Sequence, residues 1–194
     1  MREKLVLAIS KIALICFLLT AFVDSIFAMK LESIKLKTGD IIFRKEDSFL
    51  SDRFEKLDGR GYSHTGVIYI IDKKIYVLHI ERDDSKKDLK IVPIKQYLKY
   101  ATRYKIERLI RRYSAESINK NIQKIIKINP KFDFKFDLNS DDKMYCTELV
   151  FKLYKNSFGI ELTKERHKFG FYQYISVGSL LDSKYLKNIA TNKH

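Results

Sequence analysis

The stretch His64–Glu81, HTGVIYIIDKKIYVLHIE, is two runs rich in β-branched and aromatic residues, joined by Asp72, Lys73 and Lys74. Such runs on either side of a short polar break predict an antiparallel hairpin. Alternation along a strand puts His64, Gly66, Ile68 and Ile70 on one side of the first run, and Ile75, Val77, His79 and Glu81 on one side of the second. The glycine just beyond His64 leaves room for another element to approach closely. Whether His79 or Glu81 stands beside His64 depends on the hairpin register, and a slip of one residue would reverse the faces.

Outward from the hairpin, KTGDIIF (37–43) reads as a turn feeding a short apolar strand, and SFLSDRFEKLDGRGYS (48–63) as an amphipathic helical turn closed by a glycine-rich loop. LKIVPIKQYL (89–98) is a further strand that Pro93 confines to an edge, and YKIERLIRR (104–112) is another strand or the start of a helix. Ser114 caps a helix whose apolar stripe is Ile118, Ile122, Ile125 and Ile126, ended by Asn129 and Pro130. In FDFKFDLNSDD (132–142) Phe132, Phe134 and Phe136 alternate with charges, predicting a strand or extended arm with an aromatic face toward the core. Asp141 or Asp142 then caps a second helix running to about Asn156, with Gly159 as its stop. The remaining residues carry no legible chemistry.

The chain has 194 residues, 45% of them hydrophobic and 32% charged, without internal repeats, which predicts one domain able to bury its own core. The first 28 residues are set apart. MREK is a basic start, IALICFLLTAFV an apolar run, and SIFA a small-residue end, the layout of a signal peptide cleaved after Ala28, leaving the domain 29–194 for export. An uncleaved anchor over Leu5–Val23 is the alternative, at the cost of placing Lys11 in the bilayer. A lipoprotein is disfavoured because Ile15 precedes Cys16. Export removes Cys16 and leaves Cys146 without a disulfide partner, so in an oxidising compartment it is either buried or used.

Lys and Arg number 38 against 24 Asp and Glu, a net charge of +14, which loss of the leader lowers by one. A cationic surface suits anionic lipid headgroups and anionic cell-wall polymers. Nucleic acid is not an expected partner, since zinc-finger spacing, RNP-like aromatics and phosphate-binding glycine loops are missing. No cofactor motif is present, and two strand histidines with one cysteine make a poor start for a zinc site. The sequence does not speak to oligomeric state.

Two roles fit Cys146. Its helical neighbours Leu149, Val150 and Leu153 are apolar, which suits a buried inert thiol. Its place near a helix start, among unpaired N–H groups, favours a thiolate. His64 on a rigid strand tips the balance toward a nucleophile, because a reactive cysteine needs an imidazole to take its proton and return it to a leaving group. A third group should orient that imidazole, and His79 and Glu81 both qualify by parity. His167 and His194 are most simply solvated.

Four blocks, GDIIF (39–43), YSHTGVIY (62–69), YVLHI (76–80) and YCTELVFKLY (145–154), together resemble, in order, the YiiX-type permuted papain-like amidases, a branch of the NlpC-related cysteine hydrolases. The resemblance covers most of residues 36–160. It implies an α+β fold in which a small antiparallel sheet or barrel packs against helices, including the cysteine helix. It implies Cys146 as nucleophile and His64 as base. The family's third position falls on His79, where close relatives of this type often show glutamate; the related lecithin:retinol acyltransferase branch uses a second histidine, and Glu81 is the reserve. Glu148 is expected to accept hydrogen bonds near the helix start. The implied activity is cleavage of an amide in a peptide, a cell-wall peptide or a modified amine through an acyl-enzyme. The alternatives are a lipid esterase or acyltransferase of the same fold, and a non-catalytic binding protein.

Overall fold

The computed structural model describes residues 34–46, 60–82, 87–169 and 171–193, with the side chains of Phe169 and Lys193 excepted. The expected leader, most of the 48–63 segment and His194 lie outside the described residues. Six strands form one antiparallel sheet. They are β1 (Ile41–Glu46), β2 (His64–Ile71), β3 (Lys74–Ile80), β4 (Leu89–Pro93), β5 (Ala101–Leu109) and β10 (Leu186–Lys193), in the order β10-β5-β1-β2-β3-β4. Two small ribbons are added, β6 (Lys131–Phe132) with β7 (Lys143–Met144), and β8 (His167–Phe169) with β9 (Tyr172–Tyr174). The helices are α1 (Ile94–Tyr97), α2 (Ala115–Ile128), α3 (Cys146–Phe158) and α4 (Val177–Leu181).

The hairpin forms as expected, but with a tighter turn. Ile71 pairs with Lys74, so only Asp72 and Lys73 make the turn, both at positive φ (47° and 64°) as a two-residue type I′ connection requires. Pro93 ends the edge strand β4, where its missing N–H costs no ladder bond. Of the 104–112 segment, residues 104–109 are strand, in β5, and the last three lie beyond it. Ahead of β1, Gly39 turns at φ 99°, and a Cβ there would meet Ile118 and Tyr113 at 3.0 Å. The buried Asp40 beside it takes a two-pronged ion pair from Arg108, at 2.7 Å to each carboxylate oxygen, and the Gly39 carbonyl accepts from the Tyr154 hydroxyl.

One sheet face, carrying Ile41, Phe43, Val67, Tyr69, Leu78 and Ile80, packs under α3 through Leu149, Val150 and Leu153, and under α2 through Ile118, Ile122 and Ile125. In α2 the Ser114 cap accepts from Glu116 N–H at 3.2 Å, and Asn129 ends the helix in the left-handed conformation.

Two expectations are corrected here. The cysteine helix is not capped by Asp141 or Asp142. Lys143 and Met144 are drawn into pairing with Lys131 and Phe132, so the helix begins only at Cys146, with Tyr145 as its cap. It runs to Phe158 and stops at Gly159 (φ 67°), as expected. Nor is 132–142 an extended arm facing the core. Only Lys131–Phe132 is strand; beyond it the buried Asp133 carboxylate accepts from the N–H groups of Lys135 (2.8 Å) and Asp137 (2.6 Å) and folds the chain over.

Candidate active site

The face of the sheet turned away from α2 and α3 bears Arg44, His64 and His79. Arg44 pairs with His64 across β1 and β2, and His79 lies opposite Lys90 on β4. His64 Nε2 lies 3.0 Å from His79 Nδ1. The contact is diagonal, since one step beyond the Val67–Leu78 pair it is Gly66 that faces His79. A Cβ on Gly66 would lie 2.7 Å from Val77 Cγ1, 2.9 Å from the Leu78 carbonyl and 3.0 Å from His79 Cβ. Glycine is therefore what lets the two strands close on the imidazole pair. Tyr97, buried at the end of α1, packs against both rings, with centroids 6.0 Å from His64 and 5.0 Å from His79.

Of the two candidates for the third role, His79 reaches His64. The Glu81 carboxylate instead pairs with Arg44 (3.0 Å) and Lys90 (3.5 Å). Arg44 is a site residue that sequence reasoning missed, because its place follows from β1–β2 pairing between segments twenty residues apart. Although only 5% exposed, it is well held. It donates to the Tyr97 carbonyl at 2.6 Å, pairs with Glu46 at 2.9 Å, and stacks 4.2 Å from the Tyr97 ring centroid.

Burial first, and then the Arg44 charge, disfavour an imidazolium at both histidines. His64 is held well below the usual 6.5, with His79 and Lys90 adding to the effect, and His79 is pushed down to about 3, with Lys90 contributing. The resting pair is therefore neutral.

Cys146, the first residue of α3, opens with His64 onto one cavity of about 520 Å³. Burial pushes its thiol up to about 11, outweighing the Thr65, Thr147 and Cys146 backbone N–H groups, which favour the thiolate. This corrects the expectation that the helix start alone would lower it: at this site desolvation is the larger effect. The residue is only partly covered, so the thiol is packed yet reachable from the cavity. Among the described residues no hydrogen bond joins Cys146 to His64; the two share the cavity.

Glu148, fully buried, accepts from the Tyr145 N–H at 3.3 Å and pairs with Lys152 at 3.0 Å. It holds the helix start, as expected, and burial pushes its carboxyl up to about 7. His167 is not simply solvated: its Nε2 lies 3.0 Å from Ser179 Oγ, on α4.

A family model described as "permuted papain-like amidase enzyme, YaeF/YiiX, C92 family" matches residues 35–192. The uncharacterized protein YiiX of Escherichia coli (strain K12) is 32% identical over 158 residues, covering 79% of this chain and 75% of that protein. The crystal structure of the metalloprotein YiiX from Escherichia coli O157:H7 superposes with a TM-score of 0.68 at 25% identity, over 81% of this chain and 98% of that one.

Proposed function

The chain belongs to the YaeF/YiiX family of permuted papain-like amidases, whose α+β fold it shares, and from that premise we propose that it is a cysteine amidase acting through Cys146, His64 and His79. The observation that carries this reading is the His64–His79 hydrogen bond beside a cavity that also admits Cys146. With Nε2 of His64 engaged by His79, Nδ1 is left to take the thiol proton. Nε2 then carries the ring hydrogen and donates it to His79 Nδ1, so that His79 fixes the tautomer.

Because thiol and imidazole both rest neutral, proton transfer accompanies attack. As Cys146 Sγ bonds to the amide carbon, His64 Nδ1 takes its proton, and the carbonyl oxygen develops charge near the Cys146 N–H at the helix start. The imidazolium returns the proton to the leaving nitrogen, the C–N bond breaks, and a thioester remains. Water, deprotonated by His64, then releases the acid. Export after cleavage near Ala28 belongs to the same proposal, supported by the basic, apolar and small-residue order of residues 1–28. The cationic surface suits work near anionic envelope polymers.

The Escherichia coli O157:H7 relative is described as a metalloprotein, but the described residues of this chain do not fit a metal ion. Among those described, no group of three or more His, Cys, Asp and Glu is placed to hold one.

The test is turnover of amide substrates, labelled cell-wall peptides and simple acyl anilides, by the purified protein, with intact-mass detection of an acyl adduct on Cys146. Loss of both turnover and adduct in Cys146→Ala is the expected result. Undiminished hydrolysis by that variant would overturn the assignment.

A further inference from the structure

Tyr97 takes no part in the proton transfers above, yet it touches both imidazoles and the guanidinium that bears on them. Pro93 ends β4 and caps the single turn of α1, and that turn buries Tyr97 against the sheet face carrying Arg44, His64 and His79. The ring centroid lies 5.0 Å from that of His79, edge-to-face at 77°, and 6.0 Å from that of His64, tilted at 34°. It also lies 4.2 Å from Arg44 Cζ, and the Tyr97 carbonyl accepts from Arg44 Nη1 at 2.6 Å. One residue thus holds Arg44 on its face and at one nitrogen. The other end, Nη2, goes to Glu46 (2.9 Å) and Glu81 (3.0 Å), whose side chains are 27% and 37% exposed. Without the ring, the guanidinium would be free to follow those carboxylates toward water.

The hydroxyl contributes differently. It is buried with no hydrogen-bond partner among the described residues, and burial keeps it neutral by pushing it well above the usual 10. An orphaned buried hydroxyl costs stability, so the gain from Tyr97 comes from its ring.

Resting on the amidase reading above, we propose that Tyr97 is the positioning residue of the site: its ring fixes Arg44 and the two imidazoles in place and keeps water from their buried side. The charged and titratable groups facing this cluster are Glu46 and Glu81 on Arg44, Lys90 on β4, and Cys146 at the start of α3. Loss of the ring would release the Arg44 charge and admit water, and both changes favour an imidazolium. His64 would then be lost as a base at a higher pH, and its Nδ1 would no longer be held in line for the thiol proton.

The experiment compares wild type with Tyr97→Phe and Tyr97→Met, by NMR of the imidazoles and of the Arg44 guanidinium, and by kcat and KM on a simple acyl anilide. Tyr97→Phe keeps the ring and sheds the orphaned hydroxyl. Its imidazole titrations and kcat should match wild type, and its urea midpoint should be no lower. Tyr97→Met fills the space without a ring face. In it both imidazoles should titrate at higher pH, and kcat should fall about ten- to a hundredfold with KM within about twofold. Wild-type titrations and kcat in Tyr97→Met overturn the proposal. So does a Tyr97→Phe variant that folds but loses kcat, because the hydroxyl would then act in the reaction. Should Tyr97→Met not fold, wild type decides: separate, ring-current-shifted Arg44 Nη signals support a guanidinium held on the ring, and one averaged signal overturns it. If no anilide is hydrolysed by wild type, the amidase reading falls, while the titrations and the guanidinium signals still decide what Tyr97 holds.

Discussion

His64 Nε2 and His79 Nδ1 lie 3.0 Å apart because Gly66, not a side chain, fills the position between them on β2. The two imidazoles meet on the diagonal of the hairpin, and the two-residue turn at Asp72–Lys73 sets which diagonal that is. Geometry made far from the cavity thus decides which polar group stands behind the proposed base.

Gly66→Ala tests that relationship most directly. The added carbon would fall within 2.9 Å of the Leu78 carbonyl, a backbone atom that moves only if the strands part. A loss of about 1–3 kcal/mol is expected from overpacking, read as a lower urea midpoint, together with a fall in kcat/KM. An unchanged midpoint would mean that the strands have slack here.

His79→Ala removes the group proposed to fix the His64 tautomer, without touching the thiol. A fall of about a hundredfold in kcat/KM is expected for a misdirected base. His79→Gln, whose amide oxygen can accept from Nε2–H, should recover part of it. Equal activity in wild type and His79→Ala would assign His79 a packing role only.

The hairpin was legible in the sequence because alternation and a polar break are local signals, and each histidine could be placed on a face of its own strand from it. Choosing His79 over Glu81 was not possible, since three polar residues stood between the runs and only the turn geometry shows that Lys74 belongs to the second strand. The helix start was misplaced for a similar reason. Asp141 and Asp142 are good local caps, but pairing of Lys143–Met144 with Lys131–Phe132 is a long-range effect that overrides them. The Phe132, Phe134 and Phe136 alternation was seen and its destination missed, because the hydrogen bonds of Asp133 bend the chain and turn the rings to the cavity.

After burial, the Arg44 charge is the largest influence on the protonation of the pair. It lowers the affinity of both imidazoles for protons, so replacing the residue should raise both pKa values. Arg44→Met is expected to move the acid limb of kcat/KM toward higher pH, since His64 would then be lost as a base sooner on acidification. Arg44→Lys, which keeps the charge without the planar fork, should leave the limb nearer its original place. An acid limb that stays put in Arg44→Met would show that burial alone holds the imidazoles neutral.

The same neutral pair should mark the stability of the fold. His79 accepts a proton only near pH 3 when folded but at about 6.5 when unfolded, so between those values the unfolded chain binds the extra proton. The contribution of His79 to stability is therefore complete above about pH 6.5 and is lost progressively as the pH falls toward 3, by at most about 5 kcal/mol at about 1.4 kcal/mol per unit. His64 acts in the same direction. Glu148 opposes them: its folded carboxyl keeps a proton up to about pH 7, where the unfolded group has released it above about 4.5, so it weakens the fold as pH rises through that range. Comparing wild type with His79→Gln in urea titrations from pH 4 to 7 cancels the Glu148 effect. The difference between the two stabilities should change with pH by a slope of up to one proton, wild type losing more on acidification; parallel curves would show that His79 is already solvated and free to titrate in the folded protein.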